Sequence, residues 1–599
     1  MLPWRYFDVR RQKIVIRLIS TPDIRNIELL YNDPFDYVQR GAEWIWRYET
    51  TSLSRQFSGG SALMWRVEID IPPRRRLKYG FRVFFDNGET GWFSEWGLEP
   101  FSDAAVNMPH NHFFYPFIHD VDAPKPPVWV EETVWYQIFP DRFYRSGGGV
   151  PQNIPTENLG DWEKDEPTRH NFFGGDLEGI RRRLAYLKNV GVNGIYLTPI
   201  FKSPSSHKYD TEDYFSIDER FGGTETLKAL TASAHELGIR VMLDAVFNHI
   251  GNTHPFWQDV LEKQEKSPYK DFFHIHSFPV KEQYEEPRSS NYDCFAFVPS
   301  MPKWNTENPQ ARKYLLDAAL YWIKECDIDA WRLDVANEVS FDFWREFSAL
   351  THGAKPDFYV VGEIWDDASA WVNGGFFDAV MNYPLGSAVS GFFLQKKTDA
   401  QAALAFTDRL FLALSRYDDS RNSIAFNLLD SHDTERALTV AGGDKQALRN
   451  AFTVLFLLPG SPCIYYGTEV GMSGGGDPQC RAPMVWDEAR QDKSLLAFFQ
   501  RLIRFRLANI GLIKNCALSF IEEDGISYWQ LIRQVPCQLP PFSPSEKGLT
   551  VVYTNGEAAF LADLERRFGR LAFSALEDER EELRQPLRWL PPYSIAVFG

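Results

Sequence analysis

The sequence predicts an α/β protein built on a (β/α)8 TIM barrel. An N-terminal β-sandwich precedes it, a small excursion domain follows barrel strand 3, and a C-terminal β-sandwich ends the chain. Three observations predict this. From Val128 to about 505, strand-like apolar runs alternate with helical patterns, and eight such runs can be counted, as a closed barrel requires. On either side of that stretch, short β-type runs separated by turns replace the helical period. Four of the barrel runs end in acids or histidines: Asp244-Ala-Val-Phe-Asn-His249, Trp331-Arg-Leu-Asp334, Val361-Gly-Glu363-Ile-Trp365 and Leu428-Leu-Asp-Ser-His-Asp433. Loops at the carboxyl ends of barrel strands share one mouth, so four such endings point to one site.

The first domain, residues 1–121, holds β-type runs such as Lys13-Ile-Val-Ile-Arg-Leu18, Met64-Trp-Arg-Val-Glu-Ile-Asp-Ile71 and Tyr79-Gly-Phe-Arg-Val-Phe-Phe85, with the turn Asp86-Asn-Gly-Glu89 after the last. Runs of this length with turns between them predict a sandwich. Its Trp44, Trp46, Trp65, Trp92 and Trp96 are read either as core or as part of a glucan-binding or dimer-forming surface. The prolines of Asp122-Ala-Pro-Lys-Pro-Pro127 mark an extended linker.

The barrel occupies 122–249 and 304–505. Val134-Trp-Tyr-Gln-Ile-Phe139 is its first strand. A helix over Leu177–Val190 follows, with Leu177, Ile180, Leu184 and Leu187 on one face, Asp176 as N-cap and Gly191 at C′. Gly194-Ile-Tyr-Leu-Thr198, a helix near 223–237 ended by Gly238, and Arg240-Val-Met-Leu-Asp-Ala-Val246 continue the rhythm. The remaining strands are Ala330-Trp-Arg-Leu333, Tyr359-Val-Val-Gly362, Phe377-Asp-Ala-Val-Met381, Ile424-Ala-Phe-Asn-Leu428 and Cys463-Ile-Tyr-Tyr466. Residues 250–303, with Pro255, Pro268, Pro279 and Pro287, show no clear helix of barrel length and form the excursion domain. Residues 506–599 return to β runs: Ile526-Ser-Tyr-Trp-Gln-Leu-Ile532, Leu549-Thr-Val-Val-Tyr553 and Ser594-Ile-Ala-Val-Phe598.

At 599 residues the chain exceeds what one core supports, in keeping with this division. The net charge of −17 comes without a long basic run, which argues against nucleic acid as a partner. No run approaches the roughly 18 apolar residues of a membrane span. The start, Met1-Leu-Pro-Trp-Arg-Tyr-Phe-Asp8, lacks the basic-then-apolar pattern of a signal peptide. The six cysteines have no metal-like spacing and read as reduced thiols. A cytoplasmic enzyme is therefore expected.

The chemistry of the four endings suits glycosidic bond cleavage. That reaction needs a proton for the leaving oxygen and a negative group beside an oxocarbenium-like transition state. Asp334 and Glu363 end adjacent strands; the shorter Asp fits a nucleophile and the longer Glu an acid. Arg332 lies two residues before Asp334, hence on the same face, and would hold it ionised. His249, His432 and Asp433 would bind sugar hydroxyls, with Asp433 helping to distort the ring. No two histidines share the helical spacing of a zinc site.

These segments resemble, in order, the four conserved regions of the α-amylase family of retaining glycoside hydrolases (glycoside hydrolase family 13). The resemblance runs from Tyr136-Gln-Ile-Phe-Pro-Asp-Arg-Phe143 to Tyr466-Gly-Thr-Glu-Val-Gly471. Met301-Pro-Lys-Trp-Asn305, Asp334-Val-Ala-Asn-Glu-Val339 and the extra N-terminal domain are similar to the neopullulanase, cyclomaltodextrinase and maltogenic amylase group. The resemblance implies Asp334 as nucleophile, Glu363 as acid/base and Asp433 as transition-state stabiliser. It implies substrate-binding or site-organising roles for Asp244, His249, Arg332, Glu338 and His432. Tyr209 would stack on the sugar at the cleavage point, and Trp365 would stand on the leaving-group side.

Many relatives hold calcium between the loop after strand 1 and a later Gly-Gly-Asp. Gly174 and Asp176 supply the second part here, but the first loop, Tyr144-Arg-Ser-Gly-Gly-Gly-Val-Pro-Gln-Asn153, offers an arginine and no carboxylate. No required cofactor is expected, the calcium site is in doubt, and the glycines predict a flexible loop. The partners implied are α-glucan oligosaccharides or cyclodextrins and a second copy of the chain as a homodimer. Two alternatives stay open: a 4-α-glucanotransferase on the same scaffold, and a carbohydrate-binding barrel without catalysis. The second should have lost an acid, and this chain keeps all three.

Overall fold

The computed structural model describes residues 2–8, 11–123, 125–147, 158–281, 284–396, 400–514, 516–523, 526–533, 548–554, 559–576, 589–590 and 593–599. Eight parallel strands form the barrel: β1 Trp135–Ile138, β2 Gly194–Leu197, β3 Arg240–Ala245, β4 Ala330–Leu333, β5 Tyr359–Gly362, β6 Ala379–Val380, β7 Phe426–Asn427 and β8 Ser461–Tyr465. Each overlaps a run singled out in the sequence. The order is β6-β5-β4-β3-β2-β1-β8-β7. A parallel bridge from Met381 to Phe426 and the Asn382 N–H on the Phe426 carbonyl (2.8 Å) join the two ends.

The two-residue period of a strand sorts these side chains. Trp135, Tyr196, Met242, Ala330, Tyr359, Val361 and Phe426 fill the interior, while Trp331, Leu333 and Val360 pack outward against the helices. Trp135 on β1 stacks on Tyr359 of β5 across the barrel at 6.0 Å. One more inward step along each strand reaches the polar mouth. Asp244 follows Met242, Arg332 and Asp334 follow Ala330, and Glu363 follows Val361. The acids stand where the packed interior ends.

Between strands the helices form as their caps dictate. Leu177–Val190 starts at Asp176, whose carboxylate accepts the Gly179 N–H at 2.6 Å, and ends at Gly191 with φ 106°. A left-handed φ there favours glycine. Thr224–Glu236 ends just before Gly238. The excursion domain carries a nine-residue helix, Pro255–Lys263. It returns to the barrel through antiparallel bridges from His249 to Lys303 and from Phe273 to Trp304.

The flanking domains differ from two independent sandwiches in one respect. Leu2–Asp8, Lys13–Ser20, Ala62–Asp70 and Ser54–Gly59 form one N-terminal sheet, which continues into Cys516–Glu523, Ile526–Arg533, Gly548–Thr554, Ile595–Phe598 and Leu571–Ser574. The join is parallel, Phe57 opposite Leu518 and Ser58 opposite Ser519. A Cβ on Gly59 would stand 2.8 Å from that of Phe520, so only glycine admits this approach. Sequence periodicity reports a strand's faces but not its edge partners. The second N-terminal sheet covers the first over Ile16, Leu29, Trp65, Phe81 and Val83.

A buried ionic cluster ties the N-terminal domain to the barrel. Asp419, on the amino-terminal rim just before β7, accepts from Tyr6 (2.9 Å), Gln56 (2.7 Å), Arg66 (2.7 Å) and Arg17 (3.3 Å). Burial alone would raise this carboxyl; Arg66 and Arg17 outweigh it and hold it well below the ordinary range. A depressed folded pKa contributes stability above the unfolded value of about 3.9, and the contribution is lost as pH falls through that region. Asp419→Ala leaves two buried guanidiniums without their shared acceptor, a loss on the order of 3–5 kcal/mol. A thermal melt at neutral pH should show a clearly lowered midpoint for the variant, and an unchanged midpoint would remove the cluster from this role.

Candidate active site

The site begins with Arg332, whose side chain is 1% exposed. Its Nη1 donates to both oxygens of Asp244 (3.0 Å each) and to Asp334 Oδ1 (2.8 Å), and its Nη2 pairs with Glu363 Oε2 at 2.9 Å. Strand register puts these groups together: Asp244 lies opposite Arg332 across β3 and β4, and Arg332 opposite Val361 across β4 and β5. Three carboxylates thus converge on one guanidinium. Burial pushes Asp334 up, against the pull of Arg332, and lifts Asp244 to about 6. Asp334 and Asp244 share the one cation, and for both of them burial outweighs its pull.

The surrounding donors separate the three. Asp244 also accepts from the hydroxyls of Tyr196 and Tyr209 (3.1 Å for the latter), which buries it beneath the floor. Glu363 accepts the Val335 N–H at Oε2 (3.0 Å) and the Trp365 indole N–H at Oε1 (3.1 Å). Val335 holds φ 46°, a costly conformation for a β-branched residue directly after Asp334. That turn aims its N–H at Glu363. Trp365 is 48% exposed and stacks on Tyr383 at 3.9 Å, leaving an aromatic face beside the acid.

His432 is fully buried. Gln137 donates to its Nδ1 (2.7 Å), its Nε2 meets the Tyr209 hydroxyl, and Tyr209 stacks on its ring at 5.5 Å. Burial, then Arg481 and Arg332, push its pKa well below the usual value, so the ring is neutral with its proton on Nε2. Burial lowers His249 to about 3, and its ring stacks on Phe295 of the excursion domain at 4.9 Å.

A cavity of about 540 Å³ opens above these groups, lined by Tyr209, His249, Asp334, Glu363, Trp365 and Asp433 among the expected residues. Asp244, Arg332 and His432 lie beneath it. Glu338 stands apart: it pairs with Lys303 (2.9 Å) in a neighbouring cavity of about 480 Å³ with Phe341 and Trp371. Further lining residues come from loops that strand reading passes over. Phe295, Val298 and Met301 belong to the excursion domain, while Asp477 and Arg481 follow β8. Of these only Met301 lies in a motif quoted from the sequence, and Tyr196, which donates to Asp244, had its inward parity on β2 as a signal.

The Asp176 carboxylate is already engaged within the protein, which does not fit a calcium ligand. Asp176 spends one oxygen on its helix cap and the other on the Ser146 N–H (3.1 Å) and hydroxyl (2.7 Å). The Phe173 carbonyl accepts Arg145 Nη2 at 2.6 Å, so a guanidinium already sits there. Residues 148–157, including most of the glycines expected to be flexible, lie outside the described residues. Among the described residues no cluster of acids, histidines or cysteines could hold a metal ion.

Comparison with known proteins adds to this geometry. The alpha amylase catalytic-domain model matches residues 137–504, and the alpha amylase N-terminal ig-like domain model matches residues 5–119. The chain belongs to the alpha-amylase family. It is 49% identical over 579 residues to a cyclomaltodextrinase of Geobacillus thermopakistaniensis (strain MAS1), covering 96% of this chain and 94% of that one. It is 44% identical over 500 residues to an intracellular maltogenic amylase of Bacillus subtilis (strain 168), covering 84% and 82%. A solved cyclomaltodextrinase structure superposes with a TM-score of 0.83 at 38% identity, over 99% of this chain and 98% of that one. The protein is a glycoside hydrolase of the cyclomaltodextrinase, maltogenic amylase and neopullulanase type. No helix among its described residues is long and apolar enough to cross a membrane.

With Asp176 and the Phe173 carbonyl already engaged, neither added calcium nor a chelator should move the thermal midpoint by more than about 1 °C. A site bound far above its dissociation constant would instead add several degrees.

Proposed function

We propose that this enzyme hydrolyses α-1,4-glucosidic bonds, and some α-1,6 bonds, in cyclodextrins, pullulan, maltooligosaccharides or starch. It would do so with retention of anomeric configuration and would also transfer glycosyl groups to sugar acceptors. The observation that carries this reading is the bridging of Asp334 and Glu363 by the single guanidinium of Arg332. Two carboxyls held so close suit the retaining mechanism, which asks for about 5 to 5.5 Å between them.

In this reading Asp334 attacks the anomeric carbon while Glu363 gives its proton to the glycosidic oxygen. The C–O bond to the leaving sugar breaks as the ester to Asp334 forms. Water, or an acceptor hydroxyl, then attacks the anomeric carbon and gives its proton to Glu363 as the bond to Asp334 breaks and frees the carboxylate. Asp433 stabilises the transition state, and Tyr209, His249 and His432 hold the ring. The exposed Trp365 offers its face to an incoming sugar, which favours transfer as a second outcome. Glu338, beside the second cavity, is assigned to acceptor binding. No cofactor is required.

The N-terminal domain supports a homodimer. Trp46, Trp65 and Trp92 are core, but Trp44 and Trp96 are each 63% exposed and Phe35 is 73% exposed. Apolar rings left in water mark an interaction face. The intracellular name of the Bacillus subtilis relative supports a cytoplasmic location.

Glu363→Gln should lower cleavage of maltooligosaccharides by about 10²–10⁴-fold. A wild-type rate would take the acid role away from Glu363. Proton NMR of the first product should show the α-anomer. The rate should fall as pH drops and Asp334 gains a proton, and burial places that fall at higher pH than for an ordinary carboxylate. Initial rates on β-cyclodextrin, pullulan and starch, measured side by side, identify the preferred substrate. A monomeric mass in sedimentation at micromolar concentration would exclude the dimer.

A further inference from the structure

One end of the sugar cavity carries a row of charges of which the chemistry above uses only Asp433. Asp433 Oδ1 pairs with Arg481 Nη2 at 3.1 Å, Arg481 Nη1 with Asp477 Oδ1 at 3.0 Å, and Asp477 Oδ2 with Arg169 Nε at 3.3 Å. All four residues line the cavity. The signs alternate along this row, and its side chains rise from Arg481, 11% exposed, to Arg169, 67% exposed. It leads from the floor of the site to its open rim. Asp433 follows β7, Asp477 and Arg481 follow β8, and Arg169 follows β1, which stands opposite the Glu363 strand β5 around the closed barrel, so the row departs from the side opposite the acid.

Arg169 stands on a built platform. The Thr168 N–H meets Asn171 Oδ1 (2.8 Å), the Asn171 N–H meets Thr168 Oγ1 (3.1 Å), and Asn171 Nδ2 donates to the Glu166 carbonyl (3.1 Å). Trp162 of the same loop donates to the Met484 carbonyl at 3.0 Å. Beneath, the buried Arg142 gives Nη2 to the Asn171 carbonyl and Nη1 to the Arg481 carbonyl, each at 2.9 Å. One guanidinium therefore fixes the spacing between the loop after β1, which carries Arg169, and the loop after β8, which carries Asp477 and Arg481.

An ion pair this exposed adds little stability, so stability does not account for the arrangement. A guanidinium fork across a cavity rim presents several N–H donors to sugar hydroxyls and also obstructs the path. We propose that Arg169 is a specificity-determining residue. It closes the cavity at the end away from Glu363 and sets the length of the glycosyl piece held there during cleavage. This rests on the α-glucan reading above, with Asp334 and Glu363 at the scissile bond.

The test uses maltohexaose labelled at its reducing end, digested by the full-length enzyme at initial rate. The unlabelled fragments report the piece held beyond Asp334. For Arg169→Ala the ratio of fragments of three or more glucose units to shorter ones should rise about tenfold, the scale of one pocket contact. Arg169→Lys, which keeps the charge but not the fork, should rise less. Asp477→Asn, which unpairs Arg169 from its anchor, should move the ratio in the same direction. Wild-type fragment ratios in both Arg169→Ala and Asp477→Asn would overturn the inference while leaving the hydrolase reading intact. A wild-type enzyme unable to cleave maltohexaose would remove both.

Discussion

Everything at the mouth of this barrel depends on one buried cation. Arg332 is removed from water, and desolvating a guanidinium costs several kcal/mol unless partners of opposite charge replace the solvent. Asp244, Asp334 and Glu363 replace it, each on a different strand end or loop. The arrangement is reciprocal. Each carboxylate is buried at low cost only because Arg332 is there, and Arg332 is tolerable only because they are. A slip of one residue in the pairing of β3, β4 or β5 would turn these groups onto the helix-facing side. Sheet register and active-site chemistry are therefore a single constraint.

That constraint explains what the sequence revealed. Along a barrel strand the inward positions alternate, so an acid at the next inward step is legible from spacing alone, as with Asp334 after Arg332. Helix limits were legible for a similar reason: Asp176 and Gly191 act on their own turn and need no distant partner. Arg481, Asp477 and Phe295 were not legible, because loops carry no period and their approach to the cavity is set by contacts far along the chain. The exposure of Trp44 and Trp96 was hidden too, since composition does not say which side of a sandwich a ring faces. Glu338 is instructive in the other direction. Its motif lies beside the nucleophile in sequence, yet the strained turn at Val335 redirects the chain and Glu338 lands next to Lys303 in a separate cavity.

Two arginines tie down loops that shape substrate access. Arg142 grips the carbonyls of Asn171 and Arg481, and Arg145 grips that of Phe173. A guanidinium in this task brings several N–H donors in one rigid plane, so it can hold carbonyls of two loops at a fixed spacing.

The sheet shared by the two flanking domains bears on how the molecule comes to be made. Ser54–Gly59 is synthesised early and Cys516–Glu523 late, yet each is the other's neighbour through the Phe57–Leu518 and Ser58–Ser519 pairs. Until the last part of the chain emerges, the early strand waits as an open edge, and open edges invite pairing with other chains. The barrel must therefore form between two halves of an incomplete sheet, and its closure brings those halves together. In this architecture the final strands act as the clasp of the fold, and trimming them would expose an adhesive edge at the far end of the sequence from the cut.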